Sequence, residues 1–228
     1  MKYSVISGDI IASTELTVAD KNELSTLLLR LIEELQGRFN CFGRLIKGDY
    51  IECVPRNPHD GLRVALAIKS FVKSISFPDE NYVDQKNKLR LFKTYGIRLA
   101  IGYGPLRQFD PEAGVVDGEA IYLSGRAISG MNTHDKERVV IKNTLFFESA
   151  TPSDNRLLDA LMALLDVLFV KATARQSEVV YYKLMGFSEE EISEKLGINQ
   201  SVVNQHSTSV GWNAIENAVE LYSELFAK

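Results

Sequence analysis

The sequence predicts an α+β fold followed by an all-helical segment, and three observations carry this prediction. Over the first 150 residues, apolar runs rich in β-branched residues alternate with amphipathic segments of helical period. The order of these segments is β-α-β-β-α-β with a further helix, which is typical of a ferredoxin-like layer of helices on a sheet. From Thr173 onward the periodic segments all have helical spacing.

The predicted elements of the first part follow from apolar spacing and from turn residues. For example, leucine and isoleucine recur at i, i+3, i+4 and i+7 from Leu24 to Leu35, which gives one apolar face of a helix that ends near Gly37. The predicted bounds are a strand at 3–7, a helix at 19–38, strands at 42–46 and 50–54 about a tight turn, a helix after Pro58, a loop at 78–92, a strand at 95–103, a helix at 118–131 and a strand at 138–142.

The rest of the chain predicts helices only. The leucines between Leu157 and Leu168 predict a strongly apolar helix, packed on the first domain or on a second subunit. Ser188 and Glu191 form a capping box, Gly197 ends that short helix and Asn199 caps the next one, which indicates a helix-turn-helix. We therefore expect three parts: an α+β domain at 1–150, a packing helix at 151–172 and a helix-turn-helix domain at 173–228.

Composition favours an intracellular protein with an ordinary core. Of the 228 residues, 45% are apolar and 25% are charged, as in a globular domain. We expect a cytoplasmic location without a membrane span, since no apolar run approaches the roughly 20 residues that a span needs and the first residues do not resemble a signal peptide. Cys41 and Cys53 lie in strand-like runs and are predicted to be buried free thiols.

Charge is unevenly distributed along the chain. The formal net charge is −4, and the residues from Thr173 onward carry four basic and eight acidic side chains. The helical tail therefore accounts for the whole excess of acid, while residues 1–172 are balanced.

Two aspartates follow strand-like runs and are candidates for a metal site. Asp9 ends the first strand, and Asp49 ends the tight turn of the predicted hairpin. Two carboxylates at one sheet edge, with the carbonyl of Ile10, would offer the oxygen ligands that Mg²⁺ or Mn²⁺ prefers. The alternative is that both aspartates only form the side-chain hydrogen bonds that are common in turns.

Phosphate ligands are predicted beside these aspartates. The backbone N–H groups of Ile11, Ala12, Ser13 and Thr14 precede a helix and would bind phosphate, or the two hydroxyls would only cap that helix. Lys47 and Arg126 are candidate cations for the same phosphates. A solvated lysine and a surface ion pair are the ordinary alternatives for these two side chains.

The second helix of the helix-turn-helix offers amides and a hydroxyl to bases, through Gln200, Ser201, Asn204 and Gln205. It contains no lysine or arginine. DNA affinity depends on phosphate neutralisation, and a module with a net charge of −4 lacks that contribution. DNA binding and docking onto a protein partner are both kept as expectations.

Four motifs in about the first 145 residues resemble those of class III nucleotide cyclase domains. They are Gly8 to Thr14, Gly48-Asp49, Arg98 to Gly104 and Gly118 to Arg126. This resemblance implies that Asp9 and Asp49 hold the metal, that Arg126 contacts phosphate and that two copies pair as a homodimer. The chain departs from the pattern at the helix asparagine, which is Tyr122 here, and at the purine-selecting positions, which fall on the apolar Leu45 and Val115.

Nearly the whole chain resembles the SatD family, a bacterial family named for secretion and acid tolerance. The motifs are Gly8 to Ile11, Lys47 to Asp49, Arg98 to Gly102, Gly118 to Ala120 with Ser124 to Arg126, Val179 to Tyr182, Ile192 to Ile198 and Gly211 to Ile215. The resemblance implies a cyclase-like domain joined to a helix-turn-helix. The expected function is a cytoplasmic regulator that binds a nucleoside triphosphate or divalent metal and passes that state to DNA or a partner. The alternative is a Mg²⁺-dependent nucleotidyl- or phosphoryl-transfer enzyme that uses Asp9 and Asp49.

Overall fold

The structure is a computed structural model that describes residues 1–78, 86–130, 134–135, 138–139 and 143–227. It shows a mixed α+β protein in which one large sheet is followed by a run of helices. The strands are β1 Lys2–Ile10, β2 Phe42–Ile46, β3 Tyr50–Val54, β4 Ile97–Asp110, β5 Val115–Gly118, β6 His134–Asp135, β7 Arg138–Val139 and β8 Leu145–Ser149. The helices are α1 Val18–Phe39, α2 Gly61–Ser74, α3 Lys86–Tyr95, α4 Glu119–Ser129, α5 Pro152–Lys171, α6 Ala174–Leu184, α7 Glu189–Leu196, α8 Gln200–Val210 and α9 Trp212–Phe226.

The main sheet has β1 at its centre. Its order is β2-β3-β1-β4-β5, with β8 beside β4. Neighbours along the β2-to-β5 path are antiparallel, whereas β8 runs parallel to β4. The register places Asp9 directly between Tyr50 on one side and Arg98 on the other. Because directly paired residues project from the same face, the polar ends of three strands lie side by side.

The two faces of the sheet are covered differently. One face packs against α1 and α2, where Ile6 and Ile10 join the large apolar core. The other face carries α4, which lies so close that a Cβ on Gly102 would be 2.0 Å from the carbonyl oxygen of Ala120. A glycine is therefore required at this crossing, and α4 lies over Val5 and Ser7 of β1 on that face.

The predicted first hairpin and the first two long helices are present, with small shifts at their ends. α1 continues through Gly37 and ends at Phe39, with Asn40 in the left-handed conformation as its cap. Sequence analysis placed the end at the glycine because glycine is the commonest left-handed cap, but asparagine also adopts that conformation.

One prediction in the first part was wrong, and another is tested only in part. The polar stretch predicted as a loop at 78–92 contains α3, whose Leu89 and Phe92 are buried in the core. The strand predicted at 138–142 is present only at β7, which pairs with β6, and residues 140–142 lie outside the described residues. The sheet instead gains β5 and β8, which were not predicted as strands.

The helical tail has the predicted local structure. Ser188 and Glu191 form the reciprocal capping box, and Gly197 is left-handed at the end of α7. Asn199 caps α8 by its backbone position, without a side-chain hydrogen bond. Val179, Ile192 and Val203 form a small apolar cluster between α6, α7 and α8.

The large core runs through both parts of the chain. It includes residues of the sheet, such as Phe147, and residues of the last helix, such as Tyr222 and Phe226. Cys41 and Cys53 are free and buried, as predicted. In the described parts of the chain, no helix combines the length and the hydropathy that a membrane crossing requires.

Candidate functional site

Asp9 and Asp49 lie at the same edge of the sheet. The backbone N–H of Ile10 donates to the carbonyl oxygen of Asp49 at 3.1 Å, which ties the end of β1 to the hairpin turn. Burial raises the pKa of Asp9, the charge of Arg98 partly offsets this rise, and the charge of Asp49 adds to it. The two carboxylates are thus near enough to repel each other, as expected for a pair that gains from a cation between them.

Arg98 is a member of this site that sequence analysis named only as part of a strand motif. Its Nη1 lies 3.8 Å from Oδ2 of Asp9, and its side chain is 10% exposed. Its Nε is buried and has no hydrogen-bond partner among the described residues. The β1–β4 register, which pairs the two residues, is the signal that would have found it, and register cannot be read from the separate motifs.

The turn after β1 places a hydroxyl on the second carboxylate. Ala12 is left-handed and leads into a 3-10 turn at Ser13–Glu15. Oγ of Ser13 donates to Oδ2 of Asp49 at 2.7 Å. The N–H of Ile11 donates to the carbonyl of Gly96 at 2.9 Å, so this group is not available to a phosphate, contrary to expectation. The candidate phosphate-binding N–H groups are therefore those of residues 12–14.

A cavity of about 290 Å³ opens beside Asp49. Its lining residues come from the 3-10 turn, the first turns of α1 and the hairpin, and they are Ser13, Thr14, Lys21, Asn22, Leu24, Ser25, Lys47, Gly48 and Asp49. Lys21, which sequence analysis missed, donates from Nζ to the carbonyl of Thr14 at 3.1 Å. The cavity therefore presents two lysines and one carboxylate, a charge pattern that suits a phosphate with a cation.

The hairpin turn is held in a conformation that few residues adopt. Lys47 and Gly48 are both left-handed, with φ of 54° and 85°. Oγ of Ser25 donates to the carbonyl of Gly48 at 3.2 Å and so ties the turn to α1. A non-glycine residue in this region is uncommon and is found where the surrounding structure fixes it.

The donor set fits a divalent cation that arrives with phosphates. Mg²⁺ is commonly held by one or two carboxylates together with phosphate oxygens and water. The described residues contain no cluster of three or more histidine, cysteine or acidic side chains that could hold a metal ion, so the candidate ligands are those that the sequence predicts, Asp9, Asp49 and the Ile10 carbonyl. Arg98 balances part of this negative charge, which disfavours a cation that binds alone.

Further polar groups extend from Asp9 over the same face. Ser7 and Glu52 are paired across β1 and β3, and Arg44 faces Glu52 from β2. Nε of Arg44 donates to Oε2 of Glu52 at 2.6 Å, and its Nη1 donates to the carbonyl of Gly114. The purine-selecting positions that the cyclase resemblance implies fall on Leu45 and Val115. The residue of β2 that projects from the same face as Asp9 is instead its neighbour Arg44.

Arg126 lies apart from the two carboxylates of its own chain. It is on the exposed side of α4, where its Nε donates to the carbonyl of Tyr122 at 3.3 Å. Ser124, on the opposite side of the helix, exchanges a hydrogen bond of 2.8 Å with Ser7. Within the described residues Arg126 makes no ion pair with Asp9 or Asp49, so the predicted phosphate clamp is not assembled within one copy.

The predicted DNA-facing residues are all on the surface. Gln200, Ser201, Asn204 and Gln205 are exposed on α8. Two basic side chains of the tail are engaged in contacts of their own. Lys183 pairs with Glu189 at 2.7 Å, and Lys195 lies 4.5 Å from the ring centroid of Phe187.

A larger cavity, of about 520 Å³, lies against the aromatic residues Tyr3, Phe42 and Phe109. Its polar lining consists of amides and Arg56, without a carboxylate. Because the larger cavity lacks carboxylates, the smaller cavity beside Asp49 is the better candidate for binding a metal with phosphate.

No protein-family model and no curated protein matches this chain. Among solved structures, the chain is similar to a bacterial light-regulated adenylyl cyclase, at 18% identity and a TM-score of 0.41, over 64% of this chain and 74% of that one. It is also similar to an adenylate cyclase of Trypanosoma brucei in its monomeric state, at 20% identity and a TM-score of 0.41, over 57% and 70%. The adenylyl cyclase CyaB of P. aeruginosa aligns at 15% identity and a TM-score of 0.35, over 57% and 72%. Residue roles in this chain rest on its own geometry.

Proposed function

We propose that this chain is a bacterial cytoplasmic regulator that binds a nucleoside triphosphate together with Mg²⁺ or Mn²⁺ in a degenerate cyclase-like domain of the SatD type. The observation that carries the proposal is the position of Asp9 and Asp49 at one sheet edge, with Asp49 in the lining of a cavity that Lys21 and Lys47 also line. The sheet order β2-β3-β1-β4 supports the ferredoxin-like plan of such a domain.

Each group at this edge has a defined role in the proposal. The carboxylates of Asp9 and Asp49 and the carbonyl of Ile10 would hold the metal, which when bound would neutralise phosphate oxygens. The backbone of 12–14 and the ammonium groups of Lys47 and Lys21 would bind phosphates in the cavity. The hydroxyl of Ser13 orients the Asp49 carboxylate through the hydrogen bond that it donates.

Calorimetric titration with ATP and GTP, each with Mg²⁺ or Mn²⁺, tests this site. We expect binding that depends on the metal and that falls at least tenfold in Asp49→Asn, a loss of about 1.4 kcal/mol. Asp159→Asn, the same change at an exposed position of α5, is the matched control and should bind as the unmodified chain does. Binding that is absent, or equal in the two variants, would contradict the proposal. Product formation that is lost in Asp49→Asn would instead favour the transfer enzyme.

We further infer that Arg126 serves the carboxylates of a second copy, as in a homodimer with sites between subunits. Its exposure on α4 and its lack of an ion pair with Asp9 and Asp49 of its own chain support this. A mixture of Arg126→Ala and Asp49→Asn should regain part of the binding that each variant lacks, because one site of the mixed dimer is intact. If the mixture binds no better than the average of the two variants, Arg126 does not act across subunits.

For the tail, we propose that α6–α8 form a helix-turn-helix that docks through the exposed amides of α8 on DNA or on a protein partner. The exposure of Gln200, Ser201, Asn204 and Gln205 supports docking of either kind. Fluorescence anisotropy with random duplex DNA at about 50 mM salt separates them, because non-specific binding is strongest at low salt. If the chain does not bind DNA even at this low salt concentration, docking onto a protein partner is the better explanation of the exposed amides.

A further inference from the structure

Helix α5 is apolar on both of its sides. One side is buried in the large core and is formed by Leu158, Met162, Leu165 and Phe169. On the other side, Leu157, Leu164 and Val167 are 49%, 69% and 50% exposed. Exposed apolar residues grouped on one side of a helix are typical of a surface that another protein covers.

The stripe that contains the exposed Leu157 and Leu164 has the spacing of a coiled-coil seam, and its other two members, Leu161 and Leu168, are half-buried against the subunit's own core. Leu157, Leu161, Leu164 and Leu168 follow one another in steps of four, three and four residues. This is the alternation that places apolar residues on a stripe that faces a partner helix. Ala160 and Val167 form one flank of the stripe and are solvent-accessible, whereas the residues of the other flank, Leu158 and Leu165, are buried in the subunit's own core.

We propose that a second copy of this chain covers this stripe, with the two α5 helices packed antiparallel about a twofold axis. In a parallel pair, the flank of Ala160 and Val167 would have to meet the partner's Leu158 and Leu165, which the partner's own core already covers. In an antiparallel pair, like flanks meet. Ala160 of one copy then packs beside Val167 of the other, and the buried flanks remain with their own subunits.

Charge agrees with the antiparallel register. When Leu157 lies opposite the partner's Leu168 and Leu161 opposite its Leu164, Asp154 lies opposite its Lys171. Asp154 is half-buried and Lys171 is exposed at the two ends of the helix. The antiparallel pairing therefore forms two ion pairs, each between an aspartate and a lysine. A parallel pairing in register would instead put aspartate beside aspartate and lysine beside lysine.

This contact leaves the proposed nucleotide site free. α5 packs into the core on the side of α1 and α2, and α4 with Arg126 lies on the opposite face of the sheet. The contact therefore stands or falls independently of nucleotide binding. A single helix pair buries less than the roughly 1,600 Å² of a standard interface, so we expect a dimer of micromolar affinity.

Sedimentation velocity over a concentration series tests the contact. Without nucleotide or metal, so that the site between subunits proposed for Arg126 is empty, we expect the chain to be dimeric through α5 at about 100 µM. Under the same conditions we expect Leu164→Glu to be monomeric, a loss of more than tenfold in affinity. Leu29→Glu on α1 is the matched control, because Leu29 is 51% exposed and lies outside the stripe. Circular dichroism checks that each variant is folded. A monomeric parent chain, or a dimer that survives Leu164→Glu, would overturn the proposal.

A cross-linking experiment tests the register with two variants that each add one exposed cysteine, Asp154→Cys and Lys171→Cys, and a short bis-maleimide. The native Cys41 and Cys53 are fully buried and do not compete. An antiparallel pair predicts cross-linked dimer when the two variants are mixed, and little when either is alone. Cross-linking of each variant with itself would indicate a parallel pair and would overturn the register.

Discussion

The protein contains two clusters of charge that differ in how completely they are satisfied. Nζ of Lys69, fully buried on α2, donates to the carbonyls of Tyr95 and Ile97 at 3.0 Å and 2.8 Å and to Oγ1 of Thr144. Asp166 of α5 lies 3.7 Å from this ammonium group and accepts from the N–H of Thr144 at 2.5 Å. Each of the three ammonium hydrogens thus has an acceptor.

The cluster at the sheet edge is left incomplete. The side chain of Asp9 is 39% exposed and has only Arg98 at 3.8 Å as an ion partner among the described residues. Nε of Arg98 is buried without a partner. A shifted pKa alone therefore does not identify a ligand site. Burial shifts the pKa of both Lys69 and Asp9, but only at the Asp9 cluster is a carboxylate left exposed beside a buried donor that has no partner among the described residues.

The largest expected effect is at the sealed cluster. Asp166→Ala removes the charge that partly balances Lys69 and leaves a buried ammonium group, which costs about 3–5 kcal/mol of unfolding free energy. Urea denaturation followed by circular dichroism measures it. Asp159→Ala on the same helix is exposed and should change stability by less than about 0.5 kcal/mol. If Asp166→Ala lowers the unfolding free energy by less than about 1 kcal/mol, the ammonium group of Lys69 does not depend on Asp166 for its stability in the core.

A second effect is on the pH dependence of stability. Burial lowers the pKa of Lys69 from 10.5 to about 7 and that of Lys73 to about 8. Between these values and 10.5 the unfolded chain binds more protons than the folded chain, so the unfolding free energy rises with pH. For Lys69 the slope is about 1.4 kcal/mol per pH unit, from about pH 7 upward.

Lys69→Met isolates this contribution. Urea titrations between pH 7 and pH 10 should give a flatter pH profile for the variant than for the parent chain. Identical slopes would mean that Lys69 keeps its ordinary pKa in the folded state.

A smaller effect is expected at the open cluster, where the titration of Asp9 reports its neighbours. Arg98→Met should raise the pKa of Asp9, because the positive charge of Arg98 lowers it. Asp49→Asn should lower that pKa, because the charge of Asp49 raises it. Carboxyl ¹³C shifts followed by NMR during a pH titration measure both. Arg98→Lys, which keeps the charge, serves as the control. If Arg98→Met and Asp49→Asn both shift the pKa of Asp9 in the same direction, the charges of these two neighbours do not set that pKa.

The smallest effect is expected for the stability of Asp9→Asn. Burial disfavours the charged form of Asp9, so a neutral amide should leave the unfolding free energy unchanged or raise it by less than about 1 kcal/mol. The same urea assay applies. A loss above about 1 kcal/mol would assign Asp9 a structural role like that of Asp166.

Local signals in the sequence were sufficient for several elements. The capping box at Ser188, the hairpin at 47–49 and the long helix α1 depend on residues close together in the chain, and each was predicted. The placement of Asp9 and Asp49 at strand ends was also predicted. Short strands such as β8 were missed, because their stability comes from pairing with a distant strand rather than from their own pattern.

The membership of the candidate site was only partly predictable. Arg98 and Lys21 enter it through the pairing of β1 with β4 and through the packing of α1 against the hairpin. Ile11 leaves the phosphate set because its N–H is bonded to Gly96, which is 85 residues further along the chain. Contacts between residues so far apart leave no periodic trace in a single sequence.

By itself, the sequence determined which segments have helical or strand character, where several helices begin and end, and that Asp9 and Asp49 lie at the ends of strands. These properties follow from local geometry, since period, caps and turn residues act over a few positions. Tertiary structure alone decided that Arg98 balances Asp9, that Lys69 is sealed by Asp166, and that one side of α5 is left uncovered. Register and packing set those outcomes, because they bring together side chains that are far apart in the chain and decide which of them remain in contact with water.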